Sequence, residues 1–149
     1  MTGGIEITPL GKEHLSAVAR IEELCFSEPW SEKSLELLCT EENFGVVAVS
    51  EGQVVAYGGM TCVLDEGSVT NIAVHPEYRR QGIGRLVVTA LCGRAELCGI
   101  NTVFLEVRES NLAARALYLS EGFCECGVRK NFYRRPTESA VQMVRTLNS

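Results

Sequence analysis

Residues 71–91 read NIAVHPEYRRQGIGRLVVTAL: a short apolar run, a turn rich in arginine and glycine, and then apolar residues at helical spacing. A strand that enters a helix through such a turn must return to its sheet. The β-rich run TVFLEV (residues 102–107), which carries Glu106 near its end and is set off by Gly99, supplies the return strand. Strand, helix and strand then form a right-handed parallel crossover, around which the other elements must pack.

Those elements alternate on either side of the crossover. IEIT (residues 5–8) has the pattern of a first strand. HLSAVARIEELCF carries Leu15, Val18, Ile21, Leu24 and Cys25 at helical spacing, broken by Pro29. Ser31 can cap a second helix through SEKSLELLC, with Leu35, Leu38 and Cys39 as its buried stripe. FGVVAVS and QVVAYGGMTCVL, joined at Glu51-Gly52, read as an antiparallel hairpin that GSVTNIAV continues. In the central helix Ile83, Leu86, Val87, Ala90, Leu91, Arg94 and Cys98 share a face, so Arg94 must snorkel and Gly99 stops the helix. Ser110 or Asn111 can cap LAARALYLSEGF, Gly122 ends it, and FCECGVRK and SAVQMVRTL close the sheet. A mixed α/β sheet with helices on both faces is expected, as one domain over residues 1–149 without repeats or linkers.

Charge and composition exclude several roles. A net charge of −5 argues against a general nucleic-acid surface, which needs clustered Lys and Arg. No run reaches the roughly 18 apolar residues of a membrane span, and MTGGIEITPLGKEH lacks a basic segment followed by an apolar one, so a cytoplasmic protein is expected. Seven cysteines without a CxxC pair, beside only two histidines, suggest that most are reduced core residues and that no metal is bound.

The glycine turn has its own chemistry. The first turn of a helix leaves backbone N–H groups unpaired and carries roughly half a positive charge. Gly82 and Gly84 let a diphosphate approach the backbone, while Arg79, Arg80 and Arg85 add charge. No Gly-Lys-Ser or Gly-Lys-Thr is present for a nucleotide P-loop, and Val87 stands where a dinucleotide fingerprint needs its third glycine. The turn by itself is also compatible with an ordinary tight bend.

Further segments decide between these. Arg79-Arg80-Gln81-Gly82-Ile83-Gly84, together with EPWSEKSL, NIAVHPEYRRQGIGR, LEVRESNLAARALYLSEGF and VRKNFY, resembles the GCN5-related N-acetyltransferases (GNAT) over residues 5–146. The likeness is to the RimI-type branch, which acetylates the N-terminal alanine of a small-subunit ribosomal protein. It implies the GNAT fold, with a mostly antiparallel sheet and a central βαβ coenzyme A unit, and acetyl-CoA as cosubstrate without a metal. It also implies that Ile72, Ala73 and Val74 bind the pantetheine arm along a splayed strand, that Arg80, Gln81, Gly82, Ile83, Gly84 and Arg85 hold the diphosphate, and that Asn111 contacts the coenzyme, although helix capping explains Asn111 as well.

By the same resemblance Glu106 is the base and Tyr118 the acid that protonates the departing thiolate. At pH 7 an α-amine costs about 1.4 kcal/mol to deprotonate and a lysine about 4.6 kcal/mol, so a carboxylate suits an N-terminal acceptor somewhat better. Pairing of Glu106 with Arg108 or Arg80, and Tyr118 as a core aromatic, are the structural alternatives.

Trp30 and Tyr133 are expected to wall the peptide slot, and Phe132 to pack in the core. Seven glutamates (Glu22, Glu23, Glu28, Glu32, Glu36, Glu41, Glu42) form either an acidic rim for a basic protein N-terminus, as of a ribosomal protein, or a solvated helix face. Ser139 departs from the branch, which has an aspartate there. A GNAT enzyme acting on lysines or small amines, and a non-catalytic acetyl-CoA-binding module, are the competing readings.

Overall fold

The computed structural model describes residues 4–147. One seven-stranded sheet runs in the order β1-β2-β3-β4-β5-β7-β6. Its strands are β1 (Ile5–Pro9), β2 (Phe44–Ser50), β3 (Gln53–Val63), β4 (Glu66–Val74), β5 (Thr102–Arg108), β6 (Cys124–Tyr133) and β7 (Glu138–Thr146). The central β4/β5 pair is parallel, joined through α3 (Ile83–Leu97), and its neighbours pair antiparallel. This is the mixed α/β sheet that the crossover required.

Helices cover both faces. On one, α1 (Leu15–Cys25) and the short α2 (Glu32–Leu35), prolonged by a 3-10 turn Glu36–Cys39, bury Val18, Ile21, Leu35 and Leu38 against Val47, Tyr57 and Ala73. The Ser31 hydroxyl accepts from Ser34 N–H at 3.1 Å, which caps α2 as its position suggested. On the other face α3 and α4 (Leu112–Ser120) enclose a larger core with Val46, Ala56, Met60, Val103 and Met143. Each Val, Leu, Ile or Met among them contributes about 1.5–3 kcal/mol when fully buried. Helix α3 lies directly on bare strand: a Cβ at Gly58 would stand 2.6 Å from Leu91 and 2.7 Å from Val87.

Three expectations need correction. The buried face of α3 is rotated: Val88, Cys92 and Ala95 are buried with Ile83, Val87 and Leu91, whereas Leu86 and Cys98 are exposed. Arg94 lies along the edge of that face, its guanidinium carbon 5.1 Å from the centre of the Phe44 ring. The cysteines are all free, but Cys92 alone is buried, while Cys98, Cys124 and Cys126 face solvent. Strand β5 continues one residue past the TVFLEV run to Arg108, because β7 pairs with it along its whole length.

Two irregularities open the sheet at its centre. β4 pairs with β5 only over residues 66–68; beyond them β4 stays with β3 and β5 with β7. Met60 opposes Val69 and Gly58 opposes Ile72, so Thr70 and Asn71 share the single position opposite Gly59. The extra residue is a β-bulge, which bends its strand and re-aims the side chains. Gly59 leaves the room, since a Cβ there would stand 2.5 Å from Leu38 and 2.6 Å from Thr70 Oγ1.

Candidate active site

The divergence of β4 from β5 creates a cleft of about 710 Å³. Residues 69–72 line one wall and residues 105–108 the other, with Asn111, Tyr118, Trp30, Phe132 and Tyr133 completing it. Sequence positions far apart thus converge on one space: Glu106 from β5, Tyr118 from α4, Trp30 from the α1–α2 loop and Tyr133 from β6.

Strand geometry decides which backbone groups of β4 face the opening. His75 N–H donates to Val55 O at 2.8 Å, toward β3. Alternation along the strand turns the backbone of Ala73 toward β3 as well and directs that of Ile72 and Val74 into the splay. Ala73, with its side chain buried under α1, therefore offers the cleft no backbone group, contrary to expectation. The Val74 carbonyl already accepts from Arg79 Nε at 3.2 Å and from the Cys25 thiol at 3.4 Å.

The glycine turn is formed for close approach. Gly82 caps α3 with φ +79°, a left-handed conformation that favours glycine, and a Cβ there would meet no protein atom within 4 Å. Gly84 serves packing too, since its added Cβ would lie 3.5 Å from Leu117 of α4. The buried Ile83 side chain anchors the first turn in the core, so Ile83 has its backbone N–H to offer a ligand. Arg80 and Gln81 are exposed. The Arg85 guanidinium is held by Glu121.

Glu106 lies with Arg129 Nε 3.0 Å from its Oε2, an ion pair without hydrogen-bond alignment. Its partner is therefore neither Arg108 nor Arg80. Among the described residues the buried side-chain polar atoms without a hydrogen bond are Glu106 Oε2 and Thr70 Oγ1, and both residues border the cleft. Buried polar atoms without a hydrogen bond are rare, and these two leave accepting capacity at the cleft wall.

Tyr118 is buried, with its ring edge-on to Phe123 at 5.9 Å. Burial, reinforced by neighbouring Tyr133, pushes its phenol up to about 12, so it carries its proton throughout the physiological range. Tyr133 is likewise pushed up to about 12, by burial and then by the Glu106 charge. The Arg108 guanidinium stacks 4.5 Å from the Tyr133 ring centre and donates to Arg134 O at 2.9 Å and Pro136 O at 3.0 Å. Arg108 thereby pins the β6–β7 turn against the cleft. Asn111 Oδ1 accepts from Ala114 N–H at 3.1 Å and caps α4, while the residue also borders the cleft.

On the acceptor side two expectations are corrected. Phe132 is 43% exposed and lines the cleft, because β6 is an edge strand whose residues are mostly exposed. Glu22 does not belong to an acidic rim: it is fully buried, and its carboxylate accepts from Trp30 N–H, Tyr57 Oη and Asn71 Nδ2. Burial pushes the Glu22 pKa up, and those three hydrogen bonds oppose the rise. Of the remaining glutamates, Glu28 borders the cleft, whereas Glu41 and Glu42 line a separate hollow beside Cys62 and Arg94. The sequence reading also missed Thr70, Asn71 and Arg129, and gave Arg108 only as a possible partner of Glu106. A signal existed for Glu22, which shares a helical stripe with Val18, Ile21 and Cys25.

Comparison with known proteins agrees with this arrangement. The model of the acetyltransferase (GNAT) family matches residues 15–123. The chain is 40% identical over 127 residues to the [ribosomal protein bS18]-alanine N-acetyltransferase of Escherichia coli (strain K12), covering 85% of this chain and 86% of that protein. It is 36% identical over 126 residues to the Haemophilus influenzae protein of the same name, covering 83% and 86%. The crystal structure of the ribosomal-protein-S18-alanine N-acetyltransferase from Escherichia coli superposes with a TM-score of 0.91 at 37% identity, over 97% of this chain and 95% of that one. The parted β4 and β5, the glycine turn heading α3, and these matches along most of the chain lead to one conclusion: the protein belongs to the GNAT acetyltransferase family.

Proposed function

We propose that the protein transfers the acetyl group of acetyl-CoA to the N-terminal α-amine of a protein, an alanine of a small-subunit ribosomal protein, in the cytoplasm. The names of the relatives support the acceptor, and the family supports the donor. The observation that carries the reading is the convergence of Glu106 and Tyr118 on a cleft whose far wall is the unpaired edge of β4.

The cleft residues fit acetyl-CoA. The open space over Gly82 and the N–H groups of the first turn of α3 suit the diphosphate, with Arg80 and Gln81 at its edge. The Ile72 backbone and the Val74 N–H suit the pantetheine arm as an added strand. The acceptor enters between Trp30 and Tyr133. Glu106 takes a proton from its ammonium, directly or through water, and the freed amine attacks the thioester carbonyl carbon. The carbon–sulfur bond breaks, Tyr118, still protonated, gives its proton to the leaving thiolate, and the second proton shed by the new amide nitrogen passes through water to restore the Tyr118 phenol.

Transfer is direct. Cys62 and Cys98 line the separate hollow, and Cys25 at the cleft has its thiol engaged with Val74 O and pushed up by burial, which disfavours an acyl-enzyme.

Incubation with acetyl-CoA and two peptides tests the proposal. One peptide begins Ala-Arg; the other has a blocked N-terminus and a free lysine. A gain of one acetyl group on the first alone, read by mass, is expected. Modification of the blocked peptide alone overturns the α-amine assignment in favour of a lysine acceptor, and tight acetyl-CoA binding without turnover on either favours a binding module.

A further inference from the structure

Glu22 is the one charged side chain among the described residues that is fully buried, and nothing in the transfer chemistry uses it. Its carboxylate joins three parts of the fold. Oε1 accepts from Trp30 N–H at 2.8 Å in the α1–α2 loop, while Oε2 accepts from the Tyr57 hydroxyl of β3 and from Asn71 Nδ2 of β4 at 3.0 Å. Trp30 and Asn71 both line the cleft.

The chemistry of the pair fixes an orientation. Glu22 Oε2 receives both the Tyr57 hydroxyl and Asn71 Nδ2, so Asn71 presents its NH₂ group to Glu22. Its carboxamide oxygen is then turned away from Glu22. Asn71 is also one of the two bulge residues, placed where β4 leaves β5 and directly before the Ile72 backbone that faces the splay. A primary ammonium brings three N–H donors. Glu106 on the β5 wall can receive one of them, and the opposite wall needs an acceptor.

Building on the proposed function, we infer that the Asn71 carboxamide oxygen receives an N–H of the acceptor amine, and that Glu22 is a positioning residue that holds this carboxamide in the required flip. Through Trp30 N–H the same carboxylate ties the acceptor-side loop to β4, so the loop and the amine-binding oxygen are set together.

Steady-state kinetics with acetyl-CoA and the peptide beginning Ala-Arg test the inference. Asn71→Ala raises the peptide KM about tenfold and leaves the acetyl-CoA KM within about twofold, as loss of one hydrogen bond to a charged group implies. In Glu22→Gln the new amide NH₂ draws the Asn71 oxygen toward itself, turns the Asn71 NH₂ group to the ammonium, and raises the peptide KM comparably. The double variant is no worse than Asn71→Ala, because Glu22 acts through Asn71. Additive losses, or an unchanged peptide KM in Asn71→Ala, overturn the inference while leaving the proposed function standing. Should Glu22→Gln not fold, the KM pair for Asn71→Ala still decides. A wild-type protein that does not turn over the peptide removes the functional reading and this inference with it.

Discussion

Arg129 Nε stands 3.0 Å from Glu106 Oε2, and the same guanidinium lies 5.4 Å from the centre of the Phe132 ring. The carboxylate proposed as the base thus has a cation beside it before any amine arrives. The Arg129 side chain is 57% exposed on an edge strand, so it can swing aside when an ammonium approaches.

This pairing makes Arg129 a competitor of the acceptor. Arg129→Met is expected to lower the peptide KM by about threefold at low ionic strength, since a like charge near the ammonium is removed. The difference should shrink at about 0.5 M salt, where exposed charges are screened. Initial-rate measurements at the two salt concentrations check it.

Tyr118→Phe should reduce kcat by about 100-fold or more, with the dissociation constant of CoA within about twofold of wild type, because the loss is of a proton donor and not of a binding group. The sign of the pH dependence follows. An acid works while protonated, and burial pushes this phenol up to about 12, so its deprotonation should cause no fall in wild-type kcat between about pH 7 and 10. Stopped-time assays across that range, with calorimetry for CoA, provide the test.

Glu106→Gln should lose about 100-fold in kcat/KM at pH 7, where the α-amine is mostly protonated and needs a base. As the amine releases its own proton above its pKa of about 8, the deficit should narrow. A ratio of wild-type to variant rates that falls from about pH 7 to 9.5 is the expected reading.

Gly82→Ala places a Cβ where the protein itself leaves open space, at a φ of +79°. The backbone strain should cost about 1 kcal/mol of stability, visible as a modest drop in Tm. The larger effect should be a rise of about tenfold or more in the acetyl-CoA KM, because the methyl group occupies the path of the diphosphate. A parallel loss in peptide affinity is not expected.

Much of this molecule was legible in its sequence, for physical reasons that differ by element. The strands and helices announced themselves through period, and the caps at Ser31 and Asn111 through residue type, because these are local effects. Glu106 and Tyr118 were recognised through local motifs, and the fold brings them to one cleft. Pairings across the sheet were not legible. Arg129 meets Glu106 across β7, and no local pattern encodes that distance. The bulge at Thr70 and Asn71 depends on the register of β3 against β4. Phe132 was placed in the core by its apolar character, but its position on an edge strand leaves it open. Glu22 was read by charge as a surface residue, although its stripe with Val18 and Ile21 pointed inward.

The most direct test is a crystal structure of the protein with CoA bound. The diphosphate should rest against the N–H groups of residues 82–85, the pantetheine arm should lie along Ile72 and Val74, and the sulfur should come within hydrogen-bond reach of Tyr118 Oη. CoA found outside the opening between β4 and β5, or lying there with its sulfur turned away from both Tyr118 and Glu106, would contradict the assignment.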